Sequence, residues 1–114
     1  MKKQIKENYL ENIPRHKDGM NWSQDEKGIV TLEVENKGAF NRIAQKLLKK
    51  PKISYIHLEE FGSFIWLAID GQRDITAIGG LVRERFAEKA EPLYERLAQY
   101  FKTLEGYGFV TFKN

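Results

Sequence analysis

The most informative segment of the chain is LEEFGSFIWLAIDGQRDITAI, residues 58–78. Its apolar residues recur at the spacing of one face of an amphipathic helix: Leu58, Phe61, Ile65, Ala68 and Ile69. Gly71 can adopt the left-handed conformation that ends a helix. Asp74 can then accept a hydrogen bond from the free N–H groups of a following helix. The segment therefore predicts two helices joined by a tight turn.

The chain after Asp74 continues with helical spacing. The second helix has the apolar stripe Ile75, Ile78, Val82 and Phe86. The pair Gly79–Gly80 inside it favours a close helix crossing, because glycine in a helix interior otherwise costs about 1 kcal/mol. Pro92 fits the first position of a third helix, with the stripe Leu93, Leu97, Tyr100, Phe101 and Leu104. Residues 109–112 predict a short strand or extended tail packed back on the body.

The N-terminal half carries strand patterns. Val30, Leu32 and Val34 alternate with polar residues, and Trp22 precedes the polar turn of a predicted hairpin. Residues 39–50 predict an amphipathic helix, and Ile53 to Leu58 predict a third strand. This order predicts an α+β domain, in which a small antiparallel sheet is followed by a three-helix unit. Such a domain resembles a winged helix-turn-helix.

Composition limits the function classes. The 114-residue chain has no cysteine, which excludes disulfides, thiol catalysis and thiolate metal sites. It has no apolar stretch of signal-peptide or membrane-span length, so we expect a cytoplasmic protein that binds no membrane. We expect one domain at residues 13–114, with residues 39–50 as a helical insertion, after a flexible N-terminal segment of residues 1–12. The oligomeric state stays open, a homodimer included.

The residues that could carry chemistry form no constellation. His16 and His57 lack a second ligand at metal-binding spacing, and we interpret both as solvated or strand-surface histidines. Glu59 and Glu60 point apart on a helix, so they favour a helix N-terminus over a paired-carboxylate site. Aromatic residues at helical spacing usually form core, and Trp66 is predicted to do so. The sequence therefore predicts no enzyme, no metal and no cofactor.

Positive charge is concentrated in one part of the chain. The net charge is +3, and the residues between 42 and 52 include five cations and no acidic residue: Arg42, Lys46, Lys49, Lys50 and Lys52. This basic run is either the solvated face of the predicted helix or a surface that attracts an acidic peptide.

Residues 58–78 resemble the signature of the PqqD family, named after the pyrroloquinoline-quinone biosynthesis protein D. Its domain is also called the precursor peptide recognition element of ribosomally synthesised peptides. The shared marks are the leucine–acidic opening at Leu58, an aliphatic–tryptophan helix, the Asp70–Gly71 stop and a short capping side chain before aliphatic residues. The ending from Leu104 to Val110 is also similar. The resemblance covers residues 22–112, and the predicted helix of residues 39–50 departs from the shortest members.

This resemblance implies a winged helix-turn-helix that binds the leader of a ribosomally made precursor peptide. The peptide is then handed to a maturation enzyme, often of the radical-SAM class. In the family the leader adds to the third strand and lies against the last helix. By position, the peptide-binding strand residues are Ile53, Ser54, Tyr55, Ile56, His57 and Leu58. The corresponding groove residues on the last helix are Leu93, Arg96, Leu97 and Tyr100.

The alternative hypothesis is a winged-helix DNA-binding or regulatory protein, because such domains commonly place a helix in the major groove. That helix should be basic. The predicted third helix and its flank carry Glu91, Glu95 and Glu105 against Arg96 and Lys102, which is unsuited to a phosphate-lined surface. Peptide binding is therefore the favoured hypothesis.

Overall fold

The computed structural model of the chain describes residues 7–36 and 52–113. Its elements there are a 3₁₀ helix (Glu7–Glu11), β1 (Ile13–His16), β2 (Asn21–Gln24), β3 (Val30–Asn36), β4 (Lys52–His57), α1 (Glu60–Ala68), α2 (Ile75–Phe86), a second 3₁₀ helix (Ala87–Ala90), α3 (Leu93–Gly106) and β5 (Val110–Lys113). The predicted α+β class is confirmed. The winged helix-turn-helix likeness stays a prediction. The predicted helix of residues 39–50 lies outside the described residues, as do Arg42, Lys46, Lys49 and Lys50.

The larger sheet has the strand order β2–β3–β4, and both neighbours run antiparallel to β3. Leu32 in the central strand lies opposite Trp22 on one side and opposite Ile56 on the other. Val30 and Leu32 are fully buried. Because side chains alternate between the faces of a strand, this face is the one that packs on the helices.

A second sheet pairs the first described strand with the last. β1 runs antiparallel to β5, with Pro14 opposite Phe112. The sequence predicts β5 but not β1, because the four residues of β1 include a proline and show no apolar–polar alternation. The C-terminal strand is therefore held against β1 and not against β4.

α2 has the N-cap and the close contact with α3 that the sequence predicts, whereas Pro92 is the N-cap of α3 and not its first helical residue. Asp74 caps α2, because its carboxylate accepts a hydrogen bond of 2.8 Å from the N–H of Ala77. α1 ends at Ala68 with Ile69 as an extended C-cap, and Gly71, with a φ of +79°, lies in the turn that follows. α2 and α3 cross closely at Gly79, where an added Cβ would lie 3.0 Å from Cδ1 of Leu97. The predicted close crossing is therefore confirmed.

One core joins the larger sheet, the helices and β5. Trp66 and Phe101 are its largest fully buried side chains, so the prediction that Trp66 is core is confirmed. Burial of apolar surface of this kind is the dominant favourable term in folding. Further fully buried core side chains among the described residues are Ile65, Ile75, Ile78, Val82 and Leu97.

Residues 7–12 contact the body through α2. Tyr9 and Leu10 are partly buried against the core. The carbonyl of Asn12 accepts a hydrogen bond of 3.0 Å from the N–H of Ile75. The Thr76 hydroxyl donates to the carbonyl of Leu10 at 3.2 Å. This half of the segment that the sequence predicts to be flexible is therefore attached to the start of α2.

Candidate functional site

β4 is an outer strand of the larger sheet. The N–H of Leu58 donates to the carbonyl of Val30 at 2.8 Å, which fixes the phase of the ladder between β3 and β4. Because inward and outward pairs alternate along antiparallel strands, the N–H and C=O groups of Ser54 and Ile56 face β3. Three residues direct these groups to the outer side: Ile53, Tyr55 and His57. Within residues 7–36 and 52–113, no strand pairs with that side.

The side chains of β4 leave apolar surface exposed. Tyr55 is 60% exposed, Ile53 44% and Ile56 38%. Ile53 and Tyr55 lie on the sheet face that points away from the helices, whereas Ile56 shares the helix-facing side with Leu32. An outer strand with exposed apolar side chains is a surface prepared to pair with another chain. β4 thus offers main-chain groups and apolar contacts on the same edge.

The end of β4 is linked to α3 through α1. An added Cβ at Gly62 would lie 3.8 Å from Cβ of Leu58 and 3.1 Å from Cε1 of Tyr100. The Tyr100 hydroxyl donates a 2.7 Å hydrogen bond to the Gly62 carbonyl. One turn earlier, the guanidinium carbon of Arg96 lies 3.8 Å from the ring centroid of Phe61. We call Leu58, Phe61, Arg96 and Tyr100 the groove wall.

Two of the groove residues expected on α3 have buried side chains, and the set of peptide-binding residues stays a prediction. Leu93 is 1% exposed, and Leu97 is fully buried against Gly79. Their side chains belong to the core, because they lie on the inner face of α3, and they offer no surface to a ligand. Arg96 and Tyr100 lie on a different face and are partly exposed. Burial raises the pKa of the Tyr100 hydroxyl, which therefore remains protonated and able to donate.

Sequence reasoning missed Phe61 and Gly62 as parts of this surface. Phe61 falls on the apolar stripe of α1, and its pattern is that of a core residue. The available signal was Gly62, because a glycine inside a helical pattern is costly and often marks a close contact. In the structure, that contact is the ring of Tyr100.

An aromatic cluster covers the β2 side of the sheet. The rings of His16 and Trp66 stack, with centroids 4.1 Å apart and planes 15° apart. The rings of Trp22 and His16 meet edge to face, with centroids 5.4 Å apart. His16 Nε2 donates to the Trp66 carbonyl at 3.0 Å. Burial lowers the pKa of His16, and this hydrogen bond partly opposes the shift. Of the two predicted alternatives, a solvated or a strand-surface histidine, the first is therefore wrong, because His16 lies on β1 and is half-buried.

The remaining candidates for chemistry have structural contacts. His57 is an exposed strand residue, as predicted, with Nδ1 2.7 Å from the Thr31 hydroxyl oxygen. Glu60 at the start of α1 forms an ion pair of 3.1 Å with Arg85. Across residues 7–36 and 52–113, no group of three His, Cys, Asp or Glu side chains could hold a metal ion. No helix in those ranges is both long enough and apolar enough to cross a membrane.

Comparison with known proteins identifies one family. The model of the family described as Coenzyme PQQ synthesis protein D (PqqD) matches residues 29–110. This range contains β4, the groove wall and the helices α1, α2 and α3. No curated protein and no solved structure matches the chain. Because the family match covers most of the sequence, the chain belongs to the PqqD family.

Proposed function

We propose that this protein recognises the leader of a ribosomally synthesised precursor peptide by adding it as a strand to β4, and presents it to a maturation enzyme. Membership in a family of precursor recognition proteins supports a peptide-binding role. The observation that carries the proposal is the outer side of β4, where Ile53, Tyr55 and His57 direct main-chain groups that pair with no described strand.

The chemistry of this edge suits an extended peptide. Main-chain N–H and C=O groups pair with any extended backbone and supply affinity. Selection among peptides comes from side chains that alternate along the added strand, because they meet different surfaces on the two faces. On the helix-facing side they would meet Ile56 and the groove wall. On the other side they would meet Ile53 and Tyr55.

In this proposal the protein binds and positions the peptide, and the reaction takes place on the partner enzyme. A radical-SAM enzyme is the class of partner that the family relationship favours. Only the leader pairs with β4, so the rest of the precursor stays outside the domain. The modified segment can then reach the enzyme while the leader stays paired with β4.

The DNA-binding alternative gains no support from α3. Only two cations, Arg96 and Lys102, lie within α3. Glu95 and Glu105 are exposed on the same helix. A helix with two acidic and two basic side chains carries no net positive charge, so it lacks the attraction to phosphates that supplies most nonspecific affinity.

A pair of proline variants tests the proposal. Tyr55→Pro removes an outward N–H of β4 without removing a β3–β4 ladder bond, whereas proline at Ser54 or Ile56 would break that ladder. Peptides selected from a random display library on the wild-type protein provide the ligand. We expect Tyr55→Pro to abolish their binding by fluorescence anisotropy, with the circular dichroism spectrum retained.

The matched control is Gln24→Pro, which removes an outward N–H from the other outer strand, β2. The 3.0 Å hydrogen bond from the Asp25 N–H to the Ile29 carbonyl fixes the phase of that ladder and places the Gln24 N–H outward. This variant should bind the selected peptides like the wild type. Unchanged binding by a folded Tyr55→Pro protein would contradict strand addition at β4.

A further inference from the structure

Three arginines on α2 and α3 differ in their partners. Arg83 pairs with Glu91 at 3.3 Å, and Arg85 pairs with Glu60 at 3.1 Å. Arg96 makes no ion pair within the described part of the chain. Its contacts there are the ring of Phe61 and a backbone carbonyl. Of these three arginines, Arg96 is therefore the one that no carboxylate among the described residues neutralises.

The guanidinium of Arg96 is held in place without being neutralised. One of its N–H groups donates a 2.7 Å hydrogen bond to the carbonyl of Lys89, and its plane lies over Phe61. A guanidinium carries several N–H donors in a rigid fork, so one hydrogen bond leaves others available. A stacked guanidinium that is already oriented loses less conformational entropy when it binds a carboxylate.

The position of Arg96 places this charge on the groove wall. Arg96 and Tyr100 are one helical turn apart and lie on the same side of α3. Tyr100 contacts Gly62, which is also next to Leu58, the residue that follows β4. The charge therefore lies on the surface that runs from the end of β4 to α3.

We propose that Arg96 selects an aspartate or glutamate side chain in the peptide that pairs with β4. This inference rests on the proposed peptide-binding function and specifies its substrate class. The carboxylate accepts charge-assisted hydrogen bonds from the guanidinium N–H groups left free by Lys89 and Phe61. A peptide with an amide or aliphatic side chain at that position would leave the charge of Arg96 unpaired. Acidic and neutral peptides would therefore differ in affinity because of their charge as well as their shape.

Parallel selections from a random display library test this assignment. Peptides selected by the wild-type protein should carry Asp or Glu at one fixed position relative to their apolar residues. Peptides selected by Arg96→Glu should keep the apolar positions and carry Lys or Arg at that same position. Enrichment of apolar residues by both proteins, without any exchange of charge, would overturn the role of Arg96 and leave strand addition at β4 standing.

Affinity measurements then separate Arg96 from the general charge of the surface. Arg96→Gln should weaken binding of a selected acidic peptide by about tenfold. A peptide in which the selected Glu or Asp is replaced by Gln or Asn should bind the Arg96→Gln protein and the wild type with equal affinity. Arg83→Gln is the control, because Arg83 is already paired with Glu91. An equal loss in the Arg83 variant would overturn the assignment to Arg96. Failure of the wild-type protein to select any peptide would instead contradict the proposed function, and this inference with it.

Discussion

The two outer strands of the larger sheet are protected to different degrees. β2 is four residues long, and its side chain at Trp22 packs against His16 and Trp66. β4 is six residues long and exposes Ile53, Tyr55 and Ile56. Both strands belong to the same antiparallel sheet and both pair with β3. They differ in length and in what covers their apolar side chains.

This difference indicates which edge is used for binding. Proteins usually protect an outer strand by making it short, by placing polar side chains on it or by covering it, because an open edge pairs with other chains. β2 shows this protection, since its other residues are Asn21, Ser23 and Gln24. The described residues show no comparable protection at β4. Exposed apolar surface of this kind often marks a site where a partner binds, which agrees with the proposed function.

The largest expected effect comes from removing the ring that supports the β2 side. Trp66→Ala should lower the free energy of unfolding by about 3–5 kcal/mol, because Trp66 is fully buried and stacks with His16. Urea denaturation measures this loss. Leu67→Ala is the control from the exposed side of the same helix and should cost about 1 kcal/mol or less. Equal losses for the two variants would contradict the assignment of Trp66 to the core.

A smaller effect is expected where β4 joins α1. The buried Ser63 hydroxyl accepts the N–H of Val30 at 2.8 Å and donates to the carbonyl of Leu58 at 3.3 Å. Ser63→Ala leaves the Val30 N–H without its partner, so it should destabilise the protein by about 1–3 kcal/mol. Thermal or urea unfolding checks this value. Ser23→Ala, on the exposed surface of β2, should be nearly neutral, and a similar loss there would argue against the role of Ser63.

The smallest expected effect is a pH dependence of the free energy of unfolding that comes from His16 on the β2 side of the sheet. Burial lowers the pKa of folded His16 below its ordinary value of 6.5, so the unfolded chain binds a proton first as the pH falls. The stability contributed by His16 is therefore complete above about pH 6.5 and declines below it. His16→Phe should flatten the dependence of unfolding free energy on pH between about 7 and 5. An unchanged slope in a folded His16→Phe protein would contradict this assignment to His16.

The helices could be predicted from the sequence because their signals are local. Asp74 caps a helix that starts at the next residue. Gly71 adopts the left-handed conformation that the turn between α1 and α2 requires. β4 was also predictable, since β-branched and aromatic residues fill it. In these segments, neighbouring residues supply both the pattern and its physical cause.

The remaining features depend on contacts between distant segments. β1 forms because β5 pairs with it, and nothing in its four residues shows that partner. His16 is partly buried because Trp22 and Trp66 meet it, although the residues beside it suggest a solvated position. Leu97 and Arg96 are neighbours on α3, yet one packs in the core and the other over Phe61. Helical spacing alone did not identify which side of α3 forms the groove wall.

Amide hydrogen exchange, measured by NMR with and without a peptide from the display selection, tests strand addition most directly. The N–H groups of Ser54 and Ile56 face β3 and should be protected in both states. The outward N–H groups of Ile53, Tyr55 and His57 should exchange at least about tenfold more slowly once the peptide is bound. Unchanged exchange at these three amides in the presence of saturating peptide would contradict the central claim, above all if Trp22 and Gln24 of β2 became protected instead.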